Sequence, residues 1–170
     1  MTDSSKKTFL IATILGSFLI YSIIYYAHVF KIAPYNFKEF KSFVVKYGTK
    51  DNMVNYYNST TGEYNYLNKH DSLIKTHLKL TLADLDSLHK NAGNLGFWDF
   101  PDHELSSAAN TDNKAPRYFI QFSYKRKSKQ VTFDANYIGP VKLVDANKEM
   151  ISKIMDILSN AEERQQKMNR

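Results

Sequence analysis

Asp102-His103-Glu104 is the densest set of side chains able to hold a metal or move a proton. Either task needs those groups to converge on one point. Three consecutive residues of a strand or loop project to alternate sides, and no second ligand set stands at a recognisable spacing. His70 and His77 lack the i, i+4 arrangement with which a helical pair grips zinc. No Gly-x-Ser-x-Gly elbow is present to expose a serine nucleophile. The 6 glycines form no loop that would cradle a phosphate. The absence of cysteine excludes disulfides, thiolate catalysis, zinc-thiolate sites and a lipidated N-terminal cysteine. Asp84 with Asp86, and Glu162 with Glu163, fall in helical patterns, where such pairs mark a hydrated face. The expectation is a non-enzyme with no metal and no cofactor, its residues 102–104 part of a polar loop. A hydrolase built on that loop is an alternative.

Two further clusters point to binding. Lys125, Arg126, Lys127 and Lys129 gather positive charge where a hairpin turns, and are candidates for contact with anionic lipid or an acidic partner. A solvated turn that discourages strand-edge pairing is the plainer reading. Phe97, Trp98 and Phe100 precede Pro101 and read either as a core plug or as an exposed aromatic lip for a peptide or glycan.

These clusters need a scaffold. Ser42 to Tyr47 is β-branched and aromatic, which predicts a strand, and Asn52 to Tyr57 predicts a second. After a turn at 58–62, Glu63 to Asn68 alternates, and so does His70 to Leu80, with Ile74, Thr76, Leu78 and Leu80 on one side. Thr81-Leu-Ala-Asp84 has the form of a capping box. The following helix is patterned on Leu82, Leu85, Leu88 and Ala92, with Gly93 as its expected C-cap. Residues 102–116 read as a long exposed loop. Arg117 to Tyr124 alternates strictly and is paired by Gln130 to Asp134. Val144 to about Glu163 forms an amphipathic helix with Met150, Ile151, Ile154, Ile157, Leu158 and Ala161 as its apolar stripe. Clustered strands that then meet helices predict an α+β domain, an antiparallel sheet with two helices packed on one face.

Ahead of this domain runs an uncharged apolar stretch, Thr8 to Ala27, with Lys6 and Lys7 before it and Lys31 after. A helix rises about 1.5 Å per residue, so roughly 20 residues match a hydrocarbon core of about 30 Å. Thr8, Leu15, Ile20, Tyr25 and Tyr26 mark this expected transmembrane anchor, the tyrosines suiting an interfacial belt. The stretch is too long for a signal-peptide core, and the bulky residues after it make a poor cleavage site. The expected division is a cytoplasmic tail and anchor at 1–31, a spacer at 32–36 where Pro34 stops the helix, the α+β domain at 37–163 and a disordered tail at 164–170. Paired lysines ahead of the anchor favour a signal anchor with the main domain outside the cytoplasm. Lys31, Lys38, Lys41, Lys46 and Lys50 argue the reverse, a rule that weakens when a whole domain must cross.

Of 23 basic and 17 acidic residues, three and one lie within 1–31, leaving 20 and 16 in the remainder. That mild, dispersed excess suits a neighbouring anionic surface and not a nucleic-acid footprint. The 12 Tyr and 11 Phe favour a sheet.

From about Tyr64 to Leu158 the chain resembles a family of uncharacterised domains in Bacteroidetes envelope proteins and lipoproteins. The shared pattern is a strand, a helix spaced on Leu82, Leu85 and Leu88 that runs into Phe97-Trp98, a polar loop with Ala115-Pro116, a strand with Tyr118, Ile120 and Phe122, a basic turn, Val131 and a closing helix. The resemblance implies an envelope location and transfers no catalytic residues. The expectation is an inner-membrane, single-pass, non-catalytic binding or accessory module, its main domain periplasmic and its partner an envelope protein, peptide or glycan. The alternative is a structural subunit assembled through the anchor helix, where Gly16 and Ser17 permit close approach.

Overall fold

The computed structural model describes residues 3–32, 35–50, 52–106 and 115–168, which form two separate compact units divided after Tyr35. The first unit is one helix, α1 (Asp3–Ile32), longer than the apolar run that specifies it. Its segment Ser5–Tyr26 has a mean hydropathy of 2.0 and no buried residue, so it is long and apolar enough to cross a membrane. Pro34, expected to end this helix, lies outside the described residues.

The second unit opens with a 3-10 turn, Phe37–Glu39, capped where the Asn36 side chain accepts the Lys38 N–H at 3.0 Å. Seven strands follow: β1 (Phe40–Thr49), β2 (Asn52–Asn58), β3 (Glu63–Leu67), β4 (Leu73–His77), β5 (His103–Glu104), β6 (Arg117–Tyr124) and β7 (Ser128–Asp134). They lie in the order β4-β3-β2-β1-β6-β7-β5, antiparallel throughout except for the β5–β7 edge, which is parallel. Two further α-helices complete the unit, α2 (Leu82–Asn94) and α3 (Val141–Met168). The mixed α/β class with a mostly antiparallel sheet is thus the architecture.

Alternation decides which side of each strand is buried. Phe43 and Val45 of β1, Ile120, Phe122 and Tyr124 of β6, and Val131 and Phe133 of β7 point inward. Against them α3 sets Met150, Ile154, Ile157, Leu158 and Ala161, and α2 sets Leu85, Leu88 and Ala92. Tyr66 Oη donates to Glu162 of α3 at 3.3 Å, and His89 of α2 meets Tyr124 Oη at 2.7 Å, so both helices cover the same face. Val44, Lys46, Tyr56, Phe119 and Gln121 occupy the other face and are at most half-buried. There Lys46 Nζ sits 5.5 Å from the Tyr56 ring centre and 5.8 Å from that of Phe119.

Several expectations are corrected. The strand foreseen from His70 begins only at Leu73, because Asn68 accepts the N–H groups of His70 and Ser72 and folds that segment into a turn. Leu82, assigned to the helix stripe, is 76% exposed, since the first residue after the cap faces away from the sheet. Gly93 is not the C-cap; α2 runs on to Asn94, and Gly96, with φ of 74°, makes the left-handed reversal. The polar loop contains a strand, β5, and residues 107–114 lie outside the described residues. The tail expected to be disordered from 164 is helical to Met168, tied by Arg164 to Asp84 and by Gln165 to the His77 carbonyl.

Candidate functional site

A largely apolar concavity lies where the entry of β6, the exit of β7 and the first half of α3 meet. It holds about 300 Å³ and is walled by Tyr118, Phe133, Val144 and Ile151, with Tyr137 and Lys148 at its polar edge and Asn147 buried in its lining. Strand register builds the wall, because Tyr118 pairs directly with Phe133 and their rings stack at 5.2 Å. Tyr47, next along the sheet, stacks on Tyr118 at 6.0 Å. Helical spacing supplies the opposite side, since residues 144, 147, 148 and 151 share one stripe of α3. Gly139 matters to the rim: a Cβ there would come within 2.3 Å of the Tyr137 ring.

Two buried polar arrangements flank the cavity. Asp134 is 2% exposed and receives a two-pronged ion pair from Arg117, at 2.7 and 3.1 Å, with the Ser106 N–H at 3.0 Å. Burial pushes the Asp134 carboxyl up, yet the bonds from Arg117 and Ser106 and the charges of Arg117 and Lys50 outweigh it and hold it below the usual range. Glu104 is fully buried, and its Oε2 accepts Asn147 Nδ2 at 2.5 Å. Its Oε1 and the Asn147 Oδ1 have no hydrogen-bond partner. Burial therefore raises the Glu104 carboxyl, against the opposing effects of Asn147 and Lys129.

Asp102, His103 and Glu104 do not converge. β5 sends Glu104 inward and leaves Asp102 and His103 exposed, and Asp102 pairs with Lys129 Nζ at 2.8 Å. Among the described residues, no group of three or more His, Asp or Glu side chains is placed to hold a metal ion. Phe97 is fully buried and Phe100 is 9% exposed, so these rings fill the core and do not form a lip. Trp98 is half-buried, its ring edge-on to Phe122 at 5.4 Å. The reason is the 3-10 turn Phe97–Asp99, which folds the cluster back onto the sheet.

The four basic residues separate as well. Lys129 reaches back to Asp102 and to the Phe100 carbonyl. Arg126 pairs with Glu39, leaving Lys125, Arg126 and Lys127 at the turn. Thr8, Leu15, Ile20, Tyr25 and Tyr26 are all exposed along α1, with Tyr25 stacked on Tyr21 at 6.1 Å.

Sequence reasoning did not single out the cavity. One signal was available: Asn147 interrupts the stripe that continues through Met150, Ile151 and Ile154, and a polar residue there must be buried with a purpose or a partner. Compared with known proteins, the chain matches no family model, no curated protein and no solved structure.

Proposed function

We propose that this chain is a membrane-anchored, non-catalytic binding module of the bacterial cell envelope, with α1 as the anchor and the cavity on α3 as the receptor site. The cavity carries the reading. Its apolar walls with a few polar groups at the edge are the usual make-up of a ligand site. At about 300 Å³ it stands at the small end of such sites, a size for one or two apolar side chains of a peptide segment. Lys148 and Tyr137 at the edge would fix the main chain of that segment. The length and apolarity of α1 support the anchor, and the resemblance noted from Tyr64 to Leu158 supports the envelope.

A photo-crosslinking amino acid tests the site in intact membranes. Placed at Lys148, it should yield a discrete adduct that disappears when Ile151→Trp fills the cavity. Placed at Lys90, on the exposed side of α2, it should not give that adduct. Equal adducts from both positions, or an adduct that survives Ile151→Trp, would overturn the receptor site.

A further inference from the structure

The chain enters its second unit through a cationic surface that the fold assembles from two distant stretches of sequence. The 3-10 turn Phe37–Glu39 follows α1 by only a few residues. The β6–β7 turn lies more than 80 positions later, yet it is fastened to that entry point. The Lys125 N–H donates to the Glu39 carbonyl at 2.9 Å, and Arg126 grips the Glu39 carboxylate through both Nη2 and Nε, at 2.5 and 3.3 Å. β1 starts next to this clamp, with Phe40 paired to Tyr124. The result gathers Lys125, Arg126 and Lys127 at one carboxylate, Glu39, whose neighbours along the entry segment include Lys38 and Lys41. Lys38, Lys41, Lys125 and Arg126 are exposed. The lysines at 125 and 127 and Arg126 all act on Glu39, holding its carboxyl below the usual range, the Arg126 hydrogen bond foremost.

From this arrangement we infer that the entry surface is a docking face for anionic lipid headgroups, which seats the second unit on the bilayer that holds α1. The argument is covalent as well as electrostatic. The seven residue-to-residue steps from Ile32 to Glu39 span at most about 25 Å when fully extended. Along the chain, the patch where the second unit begins is the part of it joined to α1 by the fewest residues. Charge on that patch then counts most, because the potential of an anionic membrane decays over about 10 Å. A net excess of four positive charges stands there, five cations against one carboxylate. The patch also has a structural anchor of its own: Phe37 stacks on Phe40 at 5.4 Å and meets the His89 ring at a tilt at 5.5 Å, so the entry segment is packed against β1 and α2. Lys129 is not part of this face, being held by Asp102.

The inference rests on α1 being the membrane anchor, and the test separates the two. The chain has no cysteine, so single introduced cysteines label cleanly. The full chain is reconstituted in nanodiscs of phosphatidylcholine alone, or with phosphatidylglycerol at about one lipid in three. A fluorophore at Ser128→Cys reports on the basic turn through a headgroup nitroxide quencher. A fluorophore at Ser17→Cys reports on α1 through an acyl-chain quencher. The expected result is quenching at Ser17→Cys in both discs. At Ser128→Cys, quenching should be about threefold stronger in the anionic discs and lost at about 0.5 M salt. It should also be lost in the Lys38→Gln, Lys41→Gln, Lys125→Gln variant, which leaves the Arg126–Glu39 clamp intact. Quenching at Ser17→Cys with none at Ser128→Cys, or with the same quenching in neutral and anionic discs, would overturn the docking face alone. No quenching at Ser17→Cys would remove the anchor and the inference together.

Discussion

Glu104 is the residue whose chemistry is least comfortable in this protein. A carboxyl with no exposure, one amide donor and one orphaned oxygen is destabilising when ionised, and the neighbouring Asn147 has an orphaned carbonyl of its own. A single proton on Glu104, or an amide in its place, lowers that cost. Its folded-state pKa lies above the ordinary value of 4.5, so the folded state binds the proton more tightly. Stability linked to this group is therefore complete below 4.5 and declines as pH rises through the folded value. Glu104→Gln should raise unfolding free energy at pH 7 by about 1 kcal/mol, the scale of one net hydrogen bond. Urea melts along a pH series should show the gain shrinking as pH falls toward 4.5. A gain that stays constant with pH, or a loss at pH 7, would contradict the buried-charge account. Asp134 behaves in the opposite sense: its pairing with Arg117 lowers its pKa, so the stability it supplies is present at neutral pH and lost in acid.

Among the elements, α2 shows how one local sequence device is used twice. Thr81 Oγ1 accepts the Asp84 N–H at 3.1 Å, and the Asp84 carboxylate accepts the Thr81 N–H at 2.9 Å. The same carboxylate accepts Arg164 Nη2 from the far end of α3 at 2.5 Å. Thr81→Ala should cost about 1 kcal/mol, the usual worth of a hydroxyl cap. Asp84→Ala should cost more, because it also releases Arg164, and amide exchange should quicken across 160–168 in that variant only. Comparable exchange in the two variants would mean that the end of α3 is held without the Arg164–Asp84 pair. The turn from β2 to β3 depends on Gly62, whose φ of 73° is left-handed and where a Cβ would come within 2.5 Å of the His77 ring.

For the whole molecule, the proposal that α1 is a membrane anchor turns on which side of that membrane the second unit would occupy. We propose, on the signal-anchor reading of Lys6 and Lys7, that it lies outside the cytoplasm, where an envelope partner would meet the cavity. Reporters fused after Arg170 check this directly: one active only in the periplasm should give signal, and one active only in the cytoplasm should not. The reverse pattern would turn the cationic entry face toward the inner leaflet and end the periplasmic assignment.

Much of this protein was legible in its sequence, and the reason is periodicity. Strict alternation from Arg117 to Tyr124, the 3.6-residue stripe from Met150 to Ala161 and the Thr81–Asp84 box are local patterns that physics reads almost without context. The unbroken apolar run around Leu15 and Ile20 specified α1 in the same way. What the sequence could not express were meetings between residues far apart along it. Glu104 in a polar stretch became fully buried because β5 runs parallel to β7 and turns it toward Asn147, 43 positions on. Phe97 and Phe100 entered the core only because Gly96 reverses the chain. The cavity needed Tyr118 and Phe133 in register beneath Ile151, and the cationic face needed Glu39 clamped to Arg126. Local sequence settled most of the elements, β5 excepted, since the alternation or helical stripe of each is a pattern among neighbours within a few residues. Tertiary structure alone settled the sites, since each depends on contacts whose spacing along the chain carries no signal.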